Sequence, residues 1–420
     1  MVTGEEFGAR LKQLRIEAGL SQEQLAERAG ISVGAVGSYE RGLRRAPHRD
    51  TLAFLAEALG ISGKAYDELA GAADRGRQRK PNTSALHWAQ ETLPLALTAL
   101  VGREAELEEL ATLMRGCRLV TLTGAGGIGK TCMALQVAKA FAATEAISAC
   151  FVRFAQVSDP SLVLQTIVQS LGVQEVPNRP VLDTLLASLK IRALLLILDN
   201  CEHVLEQVAL AAEALLSRCP RVHILATSRE PLRAAGEQVY RLSSLSEKHA
   251  ILLFADRARA ANAGFDLSEE NERFVGAICR RLSGIPLAIE LAAARVTVLS
   301  LAELAAALED PLRILVGGKR TAPPRQRTLR AAIDWSYDLL SGSERRVFER
   351  LSILEGTCTL AMATNACGSN DLATTDVIDL VSALVSKSLV VADHHNAFTR
   401  YSLLEPIRRY AYEKFSSALR

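Results

Sequence analysis

The string Gly124-Ala-Gly-Gly-Ile-Gly-Lys130-Thr131 constrains this chain more than any other feature, because it satisfies GxxxxGK[ST]. At average composition such a string arises by chance in roughly one chain of this length in a hundred. Its flanks make chance a poor explanation. The apolar run Leu119 to Leu122 feeds the loop as a buried strand would, and CMALQVAKAFAA leaves it with the length and spacing of a helix. Glycines let successive backbone N–H groups converge on phosphates without β-carbon clashes. The following helix adds the positive end of its dipole. Lys130 is placed to reach the β- and γ-phosphates and the Thr131 hydroxyl to hold magnesium. The loop thus predicts an ATP/ADP site with Mg2+, contacted by Gly124, Gly126, Gly127, Ile128, Gly129, Lys130, Thr131 and Cys132.

The surroundings fit such a site. RLVTLTG, ACFVRF, LLLILDN and RVHILATSR are short apolar runs separated by helix-length segments. That alternation predicts a parallel sheet with helices on both faces. Asp199 closes Leu194-Leu-Leu-Ile-Leu-Asp, at a strand tip where a second ligand of the magnesium shell belongs; the plainer reading is a turn-capping Asp. The next residue is Asn200 rather than an acid. Glu202 is therefore the nearest candidate to activate water, unless it is a surface-turn carboxylate, and hydrolysis is expected to be slow. Arg229 follows another strand and could sense the γ-phosphate, or simply open a solvated loop. Pro286 in GIPLA stands where a helix starts.

Beyond Tyr240 the pattern is mainly helical, and SLVVADHHNAFTRYSLL near the end reads as a β-hairpin turning near Asn396 and Ala397. Before the strands, residues 7–66 read as short helices. Ser21 with Gln24 forms a capping box, Gly30 ends that helix, and Ser32 caps the next. From Ala72 to Thr98 the periodicity fades into a basic, Pro-containing stretch expected to be a linker.

GREAELEEL (102–110), GAGGIGKT, LLLILDNCEHV, ILATSRE and GIPLAIELAA, in this order, resemble bacterial STAND regulators with an NB-ARC-type ATPase. PPRQRTLRAAIDWSYDLL and YSLLEPIRRYA extend the likeness through a winged helix. The resemblance implies that Val101, Gly102, Arg103 and Glu104 border the adenine and that Pro286 packs against it. It assigns Lys130, Thr131 and Asp199 to phosphate and magnesium, and Arg229 to sensing. Relatives often carry Met-His-Asp in the winged helix, where the His touches the ADP β-phosphate; here the matching strand-to-helix position reads Leu403-Leu404-Glu405.

Residues 7–66 resemble an Xre/Cro-type helix-turn-helix. Its third helix would lie in the major groove with Ser32, Val33, Gly34, Gly37 and Ser38 at the reading positions. Strong bidentate readers are missing there. Arg41, Arg44, Arg45 and Arg49 would engage phosphates, joined by Gln22 from the start of the second helix. The expected organisation is thus multidomain: an all-α helix-turn-helix head (1–72), a linker (73–97), an α/β P-loop NTPase with a parallel sheet (98–240), a helical domain (241–320) and a winged-helix domain (321–420).

A net charge of +2 spreads no basic field over the whole chain, so DNA contact must be local. Eight cysteines far apart, with no CxxC pair, argue against a disulfide scaffold or zinc ribbon and fit a reducing cytoplasm. No apolar run approaches the roughly 18 residues of a membrane helix. Together with the two resemblances, these features predict a cytoplasmic, ATP/ADP-switched, DNA-binding transcriptional regulator. It would be a weak ATPase, assemble in response to nucleotide, and work with a sensor partner protein. The alternative is a defence or scaffold NTPase whose helix-turn-helix binds protein. A housekeeping kinase would need an acceptor pocket and a catalytic base, and the sequence displays neither.

Overall fold

The computed structural model describes residues 5–40, 47, 49–78, 93–94, 100–174, 176, 178–316, 327–368, 374–395 and 398–418. The chain divides into two compact units, the second beginning at Ala89. The N-terminal unit contains five helices among its described residues: α1 (Glu5–Glu17), α2 (Gln22–Arg28), α3 (Val33–Glu40), α4 (Arg49–Leu59) and α5 (Lys64–Gln78). The capping box forms as expected, with Gln24 N–H donating to Ser21 Oγ at 3.1 Å and Ser21 N–H to Gln24 Oε1 at 2.8 Å. Gly30 takes φ +65°, and Ser32 Oγ accepts from Ala35 N–H at 3.2 Å. Phe7, Leu11, Leu25, Val36, Leu55 and Leu69 make the core. Gly8 lets α1 approach α3, since a β-carbon there would overlap the Tyr39 carbonyl oxygen. One expectation needs correcting. The linker does not begin at Ala72, because α5 runs on to Gln78. Leu69, Ala72 and Ala73 carry the buried stripe onward at helical spacing, and small alanines give a weaker pattern than large apolar residues.

The second unit opens with α6 (Glu104–Gly116), followed by β1 (Leu119–Thr123), α7 (Lys130–Thr144), β2 (Ser148–Arg153), α8 (Val163–Ser170), α9 (Val181–Leu189), β3 (Leu194–Asp199), α10 (Leu205–Arg218), β4 (Val222–Thr227) and β5 (Glu237–Arg241). The five strands form one parallel sheet in the order β2-β3-β4-β1-β5. Strands β1 and β3 are buried along their whole length, which is why they read as unbroken apolar runs. The edge strand β5 is mostly exposed and carries no such run, so sequence reading passed over it. The carboxyl ends of β1, β3 and β4 lie side by side, and the ligand crevice of an open α/β sheet is found at those ends.

A helical segment follows: α11 (Glu247–Ala261), α12 (Glu269–Arg281), α13 (Pro286–Ala293), α14 (Leu301–Ala307) and α15 (Pro311–Ile314). The remainder comprises α16 (Leu329–Asp338), α17 (Gly342–Leu351), β6 (Thr357–Cys358), α18 (Leu360–Cys367), α19 (Thr374–Ser386), β7 (Val391–His395), β8 (Phe398–Ser402) and α20 (Glu405–Ala418). The hairpin exists as β7 and β8, with β6 completing an antiparallel sheet in the order β6-β8-β7, a winged-helix arrangement; Asn396 and Ala397 lie outside the described residues. One apolar cluster runs through both segments, from Phe254, Ile278 and Ile289 to Phe348, Val381 and Tyr410. No helix among the described residues is long and apolar enough to cross a membrane.

Candidate functional site

The loop after β1 turns on glycines that no other residue could replace cheaply. Gly127 and Gly129 take φ +77° and +101°, and a β-carbon on Gly127 would stand 2.8 Å from Leu287 Cβ. Helix α13 comes that close because Leu287 N–H donates to the Gly127 carbonyl at 3.1 Å. Pro286, the first residue of α13, is therefore carried close to the loop. Among the described residues the N–H groups of Gly126, Gly127 and Gly129 donate to no other protein group. Unspent donors at a helix N-terminus form a cradle for an anion. Lys130 Nζ meanwhile donates to the carbonyls of Gly124 (2.7 Å) and Ala125 (3.0 Å), so it is folded back along the loop. Cys132 is exposed in the first turn of α7, while Ile128 is buried beneath the loop.

Asp199 sits where the strand pattern put it, 5% exposed. Its Oδ1 accepts from both Thr131 Oγ1 (2.7 Å) and Thr227 Oγ1 (2.8 Å). Burial pushes its carboxyl above the usual carboxylate range, the two hydroxyls pull it back, and Glu202 adds to the rise. The Thr131 hydroxyl and the Asp199 carboxylate are hard oxygen donors of the kind magnesium takes. Among the described residues no group of three or more His, Cys, Asp or Glu side chains gathers to hold a metal. A magnesium ion here would therefore draw its other ligands from phosphates and water, as that ion usually does.

Glu202 is not an exposed turn residue. It is 8% exposed, and its Oε1 receives Arg229 Nε at 3.2 Å, with Arg229 7% exposed. Arg229 Nη2 also donates to the Ala332 carbonyl of α16 at 3.4 Å, and Ser388 Oγ donates to the Arg229 carbonyl at 2.8 Å. The solvated-loop reading of Arg229 is thereby excluded. Its side chain lies against the phosphate loop, 3.5 Å from where a Gly126 β-carbon would be. Sequence reading missed Ala332, because it comes from α16, over a hundred residues away in the chain.

Val101 packs on the apolar cluster of the helical segments, and Gly102 at φ +67° admits the ring of His249. The Arg103 guanidinium is spent on Glu106 (2.7 Å) and the Ser243 carbonyl (2.6 Å), so it braces this segment. Leu403 and Leu404 fall between β8 and α20, and Glu405 opens α20. Glu405 N–H donates to Ser283 Oγ at 2.9 Å, while its carboxylate takes Arg408 and Arg409.

In the head, Ser32, Val33 and Gly34 are exposed at the start of α3, and Ser38 is half-buried with its hydroxyl donating to the Gly34 carbonyl at 2.6 Å. Gly37 is a correction. It is buried beside Val36, on the side of α3 that packs against the rest of the head, and offers nothing to a groove. Gln22 Nε2 donates to Glu40 Oε2 at 2.7 Å, and Glu40 also receives Arg15 Nε at 2.5 Å, so Gln22 is oriented by a part-buried ion pair. Arg41, Arg44 and Arg45 lie outside the described residues, and of Arg49 only the backbone is described.

Comparison with known proteins matches residues 11–64 to the helix-turn-helix family model and residues 103–264 to the NB-ARC domain model. Rv0890c of Mycobacterium tuberculosis, named as an HTH-type transcriptional regulator, is 45% identical over 310 residues, 74% of this chain and 35% of that protein. The chain thus spans about a third of that relative's length. Rv0894 of the same organism is 39% identical over 325 residues, 77% of this chain and 82% of its own length. A solved STAND protein with a tetratricopeptide-repeat sensor, from Pyrococcus horikoshii, is 16% identical over 79% of this chain and 44% of its own, with a TM-score of 0.36, too distant to add to these relationships. The loop geometry, the two domain matches and the extended identity to the mycobacterial protein agree: this chain belongs to the family of NB-ARC P-loop proteins, and it carries an N-terminal helix-turn-helix domain.

Proposed function

We propose that the protein is a transcriptional regulator whose DNA-binding head is governed by ATP or ADP bound at the 124–131 loop. The observation that carries this reading is the single Asp199 oxygen shared by Thr131 and Thr227 beneath a cradle of unspent glycine amides. Such an arrangement suits a magnesium-bound polyphosphate: Thr131 and Asp199 would hold the ion, which would offset the phosphate charge, while Lys130 would swing from its loop carbonyls to the β- and γ-oxygens. Arg229 would answer the γ-phosphate from its place beside Gly126. Glu202 is already bonded to Arg229 and buried, which makes it a poor free base, and with Asn200 at the strand tip turnover should be slow. Nucleotide then acts as a switch, with the head running on to Gln78 and the divisions 98–240, 241–320 and 321–420 as its working parts.

Output through the head should rest on phosphate contacts, since the exposed start of α3 offers Ser32, Val33 and Gly34. That same poverty of base readers favours the second reading, a head that binds protein. Coupling would run through self-association, because linked heads raise effective concentration and avidity by about 10²–10⁴ without any new contact. The test compares DNA affinity and molecular mass with ADP and with a non-hydrolysable ATP analogue. Tighter, more cooperative binding and larger species with the analogue are expected. Equal affinity and equal mass in both states would refute the coupling, and no affinity for any duplex would favour the protein-binding head.

A further inference from the structure

Helix α16 meets the nucleotide site through residues one turn apart. The Ala332 carbonyl accepts from Arg229 and stands 3.4 Å from where a Gly126 β-carbon would be. Three residues on, and so on the same helix face, the Trp335 indole meets the His203 imidazole edge-on, with ring centroids 5.8 Å apart and planes at 78°. That imidazole is held on both sides. Its Nε2 faces the Phe154 carbonyl oxygen at 2.9 Å and must therefore donate. Its Nδ1 is then the lone-pair nitrogen and accepts from the Asn200 carboxamide at 3.3 Å. Asn200 follows Asp199 directly, in left-handed backbone at φ 68°, and its N–H donates to Thr227 Oγ1 at 3.0 Å. Phe154 N–H closes the ring by donating to the Asp199 carbonyl at 3.0 Å. Every bond of His203 thus leads to the loop that carries Asp199. On its other side α16 is fastened to the final helix, through Tyr410 Oη to Asp334 (2.5 Å) and the Arg330–Glu413 pair (2.7 Å).

We propose that His203 and Trp335 are a positioning pair through which α16 registers what occupies the Asp199 site. The proposal rests on the nucleotide reading above and adds the contact that transmits it. With a cation and γ-phosphate held at Asp199, Asn200 would shift with its neighbour, the imidazole would follow, and its edge-on fit with the indole would change, less so with ADP. Since an aromatic pair of this geometry biases an equilibrium by about threefold to tenfold, that is the discrimination the pair can supply.

The sequence holds two tryptophans, so Trp88→Phe leaves Trp335 as the sole indole reporter in the full chain. In that background the emission of Trp335 should shift when ADP is replaced by a non-hydrolysable ATP analogue with magnesium. His203→Ala should abolish the shift and narrow the ratio of the two nucleotide affinities, measured by calorimetry, by about threefold to tenfold. Trp335→Phe, which keeps a ring to meet the imidazole, should narrow that ratio less than Trp335→Ala. An identical Trp335 spectrum in both states, with calorimetry showing both nucleotides bound, would overturn the pair, as would an unchanged ratio in His203→Ala. Absence of nucleotide binding by calorimetry would overturn the nucleotide reading itself, and the proposal with it.

Discussion

Replacing Asp199 with Asn separates what this carboxylate does for the fold from what it does for the nucleotide. Both hydroxyl donors, Thr131 and Thr227, converge on Oδ1, so the carboxamide oxygen of Asp199→Asn can accept the same two bonds. Each bond then changes from charge-assisted, worth about 1.5–3 kcal/mol, to neutral, worth about 0.5–1.5 kcal/mol. Against that loss of about 2–3 kcal/mol stands release from holding a charge at a site only 5% exposed. The balance has a known sign, because burial leaves the Asp199 carboxyl above its ordinary value despite both hydroxyls. The folded protein therefore binds the neutral form better than the unfolded chain does. Stability contributed by this group is present at low pH and is lost as pH rises from the ordinary carboxylate value towards the raised folded one. At neutral pH, Asp199→Asn without nucleotide should be at least as stable as the parent, and its stability should depend less on pH across that window. Its magnesium-dependent gain in ATP affinity should fall about tenfold or more, the equivalent of one charge-assisted contact. Thermal unfolding across pH, with calorimetry of ATP with and without magnesium, reads both effects. A nucleotide-free variant destabilised by more than about 1 kcal/mol, with its magnesium dependence intact, would refute the reasoning.

Lys130→Ala should weaken ATP and ADP at least tenfold, since a charge-assisted phosphate contact is worth about 1.5–3 kcal/mol; unchanged calorimetric affinity would remove the loop from the nucleotide site. Arg44→Ala should flatten the log–log salt dependence of DNA binding by about one unit while leaving sequence preference nearly unchanged; a variant that lost one base preference and kept its slope would make Arg44 a base reader. Arg15→Ala should leave Glu40, whose side chain is 3% exposed, with Gln22 as its remaining partner, at a cost of about 1.5–3 kcal/mol, that of one charge-assisted contact. Hydrogen exchange of α1 and α3 in the full chain should then speed up by about tenfold or more, and near-parental protection would contradict the pair.

Contiguous chemistry was legible in the sequence, and chemistry assembled from distant residues was not. The 124–131 loop, the all-apolar β3 ending in Asp199 and the Ser21–Gln24 capping box could be named from order alone. In each, the interacting groups are neighbours in the chain, and spacing determines their geometry. Edge strand β5 and the continuation of α5 to Gln78 were missed because exposed or small side chains leave faint periodicity. Burial decided that Gly37 turns inward and that Glu202 is paired rather than solvated. Only the tertiary structure could bring the Ala332 carbonyl to Arg229, Ser388 to the same residue's backbone, Ser283 to Glu405 and Trp335 to His203. None of those partners announces itself, because a backbone carbonyl, a serine hydroxyl or an indole edge acquires a role only from what packing sets against it. The sequence by itself determined that a glycine-rich loop would follow one buried strand and that Asp199 would close another. Which side chains and carbonyls close around that loop was decided by helices arriving from far along the chain, where shape and burial, not local pattern, select the partner.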